Sequence, residues 1–172
     1  MSNNAAKLFP KQTPPKPEVL LEVYALYVEM ADRVSARRQT YNSFSITLNT
    51  LLGSGLGLAL GANLHHEQST FSWILIAIGG LGLIINLLWY RLIESYRQLN
   101  SAKFQIIHQI EDVLGINPYA AEWSLMGHGK NPALYRPLTH LERWLPLGLA
   151  FLSLTLLAVG LFFLIHKYII SN

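Results

Sequence analysis

Cysteine is absent from the 172 residues, which removes disulfides, thiolate metal sites and a cysteine nucleophile. Charge is scarce as well. Only 13% of residues are Asp, Glu, Lys or Arg, against roughly a quarter in an ordinary soluble domain. Apolar residues make up 51% and mean hydropathy is +0.29. A water-soluble globular chain is therefore excluded, and a membrane protein is expected. The net charge of +3 is too small to argue for nucleic-acid binding. No G-x-S-x-G, H-E-x-x-H, phosphate-binding loop or converging carboxylate pair occurs, so an enzyme is not expected and no cofactor is implied. Internal repeats of the kind that build secondary transporters are also missing.

What is present divides the chain into five stretches. Residues 1–17 are polar and proline-rich, lack the apolar core of a signal peptide, and read as a disordered cytoplasmic tail. Pro17 and Glu18 then open an amphipathic helix over 18–40, with Leu20, Val23, Tyr24, Tyr27, Met30 and Val34 on one face. Residues 41–90 form a transmembrane hairpin: a first span to Ala62, the loop Asn63–Thr70 and a second span, Phe71–Tyr90. Residues 91–142 comprise a long cytoplasmic helix continuing from the second span, then an ordered loop. Residues 143–169 carry a third span, whose helix opens on a T-x-x-E capping box at Thr139 and Glu142. The fold class is all-α with three transmembrane helices.

Two patterns speak to packing. Gly53, Gly57 and Gly61 recur every four residues in the first span, a small-residue lane along which another helix can approach closely. Gly79, Gly80 and Gly82 offer a second small face, opposite or against it. Further on, positions 89, 92, 96, 99, 103, 106, 110 and 113 alternate steps of three and four, a heptad seam reading Trp, Leu, Tyr, Leu, Lys, Ile, Ile, Val. Lys103 alone breaks it, and can snorkel or pair with an acid such as Glu111 or Glu122.

Candidate ligand sites are thin. His65, His66 and Glu67 share a loop without further ligands, and His108, His128 and His140 have no metal-binding spacing, so no metal is expected. Asn49 is expected to hydrogen-bond across helices, a contact averaging about 0.6 kcal/mol in membranes. Asn86 stands alone in the second span. With Ser45, Asn49 would line a pore if one existed, but the polar positions cover only half of that span and no charge lies within any span.

Basic residues set the orientation. Lys7, Lys11, Lys16, Arg33, Arg37 and Arg38 precede the first span, and Arg91, Arg97, Lys103, Lys130, Arg136 and Arg143 lie between the second and third. The Asn63–Thr70 loop has none. The positive-inside rule then places the N-terminus in the cytoplasm and the C-terminus outside, with Lys167 the single opposing charge.

The run S-Y-R-Q-L-N-S-A-K-F-Q-I-I-H-Q-I-E (Ser95–Glu111) resembles the small bacterial RipA-family octameric membrane proteins. So do V-Y-x-x-Y-V-E-M-A-D-R-V-S-x-R-R before the Asn-rich first span and P-Y-x-x-E-W at Pro118–Trp123. The likeness covers roughly Glu18 to Leu145. It implies a homo-octamer of the bacterial inner membrane with no defined molecular activity. On that reading Tyr96, Leu99, Asn100, Lys103, Ile106, Ile110 and Glu111, with the Gly53–Gly57–Gly61 lane, hold subunits together, and the partners are further copies and membrane lipids. The expected function is a structural or scaffolding assembly. The alternative is an oligomeric channel or pore, such as a stress or phage-defence effector.

Overall fold

The computed structural model describes residues 15–62, 68–131, 133–134 and 139–170, with backbone only at Gln68 and 139–141. The tail before residue 15, His65, His66, Glu67 and the Thr139 side chain of the expected capping box lie outside the described residues. Four α-helices appear: α1 (Pro17–Gly61), α2 (Gln68–Leu114), α3 (Pro118–Leu125) and α4 (Thr139–Ile170), with a 3-10 turn at Gly127–Gly129. No strand occurs among the described residues. Helices α1, α2 and α4 are each long and apolar enough to cross a membrane. The amphipathic stretch and the first span form one unbroken helix of 45 residues, because no proline or loop signal separates them. Likewise α2 runs for 47 residues from the second span through the heptad stretch.

The chain forms two compact units: Met1–Arg37 with Ser95–Pro137, and Arg38–Glu94 with Leu138–Asn172. In the second unit, α2 and α4 pack backbone to backbone. A Cβ on Gly79 would lie 2.5 Å from the Leu157 nitrogen and 2.7 Å from the Ser153 carbonyl oxygen; one on Gly160 would lie 2.9 Å from Leu75, Ile76 and the Ser72 carbonyl oxygen. Gly82 abuts the Ser153 side chain. Gly79 and Gly82 therefore serve α4 rather than the α1 glycine lane, with the Leu52 side chain of α1 also 3.5 Å from a Cβ placed on Gly82. At Gly80, Gly53, Gly57 and Gly61, a Cβ would meet nothing within 4 Å. Helix α1 also meets α2 through polar contacts, described below, because amides in an apolar span must find each other.

The aromatic boundary also departs from expectation. Trp73 and Trp144 face outward, 59% and 69% exposed, as interfacial rings do. Trp89 is buried and its indole N–H donates to Asn42 Oδ1 at 2.8 Å. Arg143 donates to the Tyr90 hydroxyl at 3.1 Å and lies 3.9 Å from Glu94, while Arg38 lies 3.7 Å from Glu142.

Along α2 the seam is half as read. Asn86, Trp89, Ile93, Lys103, Ile107, Ile110 and Glu111 are buried, with Tyr96, Asn100 and Leu114 half-buried. The members at 89, 96, 103 and 110 hold. Their alternates shift by one residue, so that 93, 100, 107 and 114 turn inward and Leu92, Leu99 and Val113 turn out. On α1 the inward face is Leu20, Tyr24, Tyr27, Ala31 and Val34, with Ala31 in the place expected for the exposed Met30.

Candidate functional site

The chemically distinctive locus of the first unit is Glu111, whose side chain is fully buried. It sits in the last turn of α2, which Gly115 closes in the left-handed region at φ 72° while Ile116 N–H reaches back to the Glu111 carbonyl oxygen at 3.1 Å. That sharp reversal leads into Pro118, which starts α3. The chain thus returns beside the carboxylate it has just passed.

Three groups converge on it. The Tyr24 hydroxyl from α1 donates to Oε1 at 3.2 Å, the Tyr119 backbone N–H from α3 reaches the same oxygen at 3.3 Å, and His108 Nδ1 lies 2.9 Å from Oε2. With the carboxylate ionised, Nδ1 carries the proton and Nε2 is left for solvent or a partner. Burial, followed by the hydrogen bond to Glu111, pushes the Tyr24 phenol up to about 12. Tyr119 is also raised, first by burial and then by the charges of Asp32, Glu122 and Glu111. Phe104 closes the aromatic side, with its ring edge-on to Tyr119 at 5.3 Å.

Lys103 is nearly buried, yet among the described residues it pairs with neither Glu111 nor Glu122. Its ammonium stands 5.6 Å from the Tyr27 ring centroid, so aromatic electrostatics take the place of the ion pair considered from sequence. One turn before it, Asn100 Oδ1 is buried with no hydrogen-bond partner among the described residues. On the outer side of His108 a cleft of about 330 Å³ is lined by Asp112, Asn117, Ala120, Trp123 and His128. His128 adopts φ 54° between Gly127 and Gly129, both also at positive φ. No group of three or more possible metal ligands occurs among the described residues.

Sequence reasoning singled out Glu111, Lys103 and Asn100 but missed Tyr24, His108 and Tyr119 as their companions. The three quoted motifs contain all of them; the fold brings those motifs together on one carboxylate. Ile110 is fully buried within this unit, Tyr96 and Ile106 are half-buried, and Leu99 is exposed.

In the other unit, Asn49 and Asn86 exchange reciprocal side-chain bonds at 3.1 and 3.0 Å. Each also donates to a carbonyl on its own helix, Asn49 to Ser45 at 2.9 Å and Asn86 to Gly82 at 2.8 Å. Asn86 is thus not alone, contrary to its place in the sequence. Ser45 is buried.

A family model described as the octameric membrane protein family (8xMP) matches residues 21–163. No curated protein and no solved structure matches the chain. The matched range includes most of each apolar helix and every residue around Glu111, and the family's description does not carry the RipA designation. With three membrane-length helices and a match over most of its length, the chain belongs to the octameric membrane protein family.

Proposed function

We propose that the protein is a non-enzymatic, homo-octameric scaffold of the bacterial inner membrane, with its N-terminus in the cytoplasm and its C-terminus outside. The carrying observation is where apolar surface is left uncovered. In the unit that contains Glu22, Glu29, Asp32, Arg97 and Asp112, Leu99 and Val113 remain 47% and 44% exposed one heptad turn either side of Ile106. A charged unit facing water gains by covering such a stripe, and a like stripe on another copy is the complementary surface at hand. The polar groups offer the opposite picture: Glu111, Asn49 and Asn86 are satisfied inside one chain and so are not left to line a conduit.

Native mass of the purified protein with lipids retained, followed by planar-bilayer conductance, tests this. A closed octamer without conductance is expected. Leu99→Asp is expected to lower the mass while helicity stays unchanged, and Gly57→Leu, on the open glycine lane, is expected to do the same. Discrete conductance from the octamer would replace the scaffold by a channel, and a monomer would overturn both.

A further inference from the structure

In the second unit, α2 and α4 run antiparallel and touch at Gly79 against Leu157 and Ser153, and again where Ser72, Leu75 and Ile76 meet Gly160. Beyond that contact, toward the start of α2 and the end of α4, they part. The opening is a groove of about 520 Å³ lined by Ser69, Trp73, Leu164, Ile165, Lys167 and Tyr168. Its chemistry changes along its length. Leu164, Ile165 and Trp73 are its apolar lining; Ser69, Lys167 and Tyr168, nearest the start of α2 and the end of α4 in sequence, supply its polar groups. Trp73 and Tyr168 are outward-facing, 59% and 72% exposed, the setting in which aromatic rings hold the boundary between hydrocarbon and head groups. Lys167 is the one Lys or Arg after Arg143, and among the described residues no acidic side chain lines the groove.

We infer that this groove binds one phospholipid with an anionic head group. An acyl chain lies along Leu164, Ile165 and the Trp73 face, and the phosphate-bearing head group meets the Lys167 ammonium, with the Ser69 hydroxyl as a second donor. Three features select that occupant. The groove belongs to helices of membrane length, so lipid is the molecule that surrounds it. Its apolar part would not hold water stably. Its lysine, the one cation among the described lining residues and set beside the aromatic rings of Trp73 and Tyr168, complements a net negative head group and leaves a zwitterionic one less well matched. The lysine that runs against the positive-inside orientation thereby acquires a local reason.

The test gives the delipidated full-length protein equal amounts of phosphatidylglycerol and phosphatidylcholine with identical acyl chains, and counts bound lipids per chain by native mass spectrometry. The expected result is one retained lipid per chain, with phosphatidylglycerol preferred about fivefold, the effect of one basic residue near an anionic surface. Lys167→Gln should abolish the preference, Lys167→Arg should keep it, and Trp73→Ala should lower retention of both lipids. Unchanged preference in Lys167→Gln, or none in the wild type, would overturn the inference. So would a drop in oligomer mass in Lys167→Gln with lipid counts unchanged, which would give the groove to a neighbouring copy. Lipids are counted per chain, so the result does not depend on the number of subunits.

Discussion

Replacing Gly79 by alanine adds one methyl group where the structure has no room for it. The new Cβ would sit 2.5, 2.7 and 2.9 Å from the Leu157 nitrogen, the Ser153 carbonyl oxygen and the Leu157 Cα. All three are backbone atoms, so no rotamer change relieves the clash. Ordinary contacts between carbon atoms are about 3.5–4.0 Å, and α2 and α4 would have to part by something near 1 Å. Overpacking of this kind costs about 1–3 kcal/mol. Alanine also favours a helix over glycine by about 1 kcal/mol, which would mask part of the loss. Gly53→Ala supplies the reference: it gains the same propensity and meets nothing within 4 Å. The difference between the two variants is therefore expected to be about 1–3 kcal/mol, a factor of roughly 5 to 150 in the folding equilibrium. Reversible unfolding in mixed micelles with rising dodecyl sulfate, followed by far-ultraviolet circular dichroism, measures it. Equal stability of the two variants would refute the close α2–α4 contact.

Glu111→Ala removes the acceptor shared by Tyr24, His108 and the Tyr119 N–H, and is expected to destabilise the protein by about 1–3 kcal/mol in the same unfolding measurement, the cost of leaving a buried donor unpaired. Ile110→Asp should unfold the unit that buries Ile110, seen as lost helicity, whereas Leu99→Asp should leave helicity intact; equal losses would show that exposure does not separate the two positions. Tyr24 binds its proton more tightly in the folded state, where it is raised to about 12 from 10. Its contribution is fully present below pH 10 and is lost as pH rises through 12. Tyr24→Phe should flatten that alkaline decline, and an unchanged profile would remove Tyr24 as its source.

The three spans were legible because twenty or so apolar residues in a row have few other uses. Which side of each helix faces inward was less so. Leu92, Leu99 and Val113 are as apolar as Ile93, Ile107 and Leu114, yet the first set faces out and the second faces in. Hydrophobicity distinguishes core from water; it cannot distinguish a core from a surface that is itself apolar. The glycines present the same ambiguity. Gly79 and Gly57 both sit in small-residue runs, and only the position of α4 separates a tight crossing from an open lane. Gly160, on the far side of that crossing, carried no repeat to reveal it. Around Glu111, each participant lay within a noted motif, but Tyr24 and Glu111 are 87 positions apart. Their meeting depends on how α1 lies along α2, which no local pattern encodes. Conversely, the α2 terminus was readable from Gly115 and Pro118, since a left-handed residue followed by a helix-initiating proline leaves the backbone few choices.

The Asn49–Asn86 pair has a mechanical consequence. Each amide both gives and receives, so the pair matches at one register only. Sliding α1 past α2 by a single helical turn, about 5.4 Å, would carry each amide away from the other and break both bonds at once. The pair thus acts as a detent that resists piston-like travel along the helix axes. The Trp89–Asn42 bond ties the same two helices at a second level, so the hairpin keeps its phase at two points along its length.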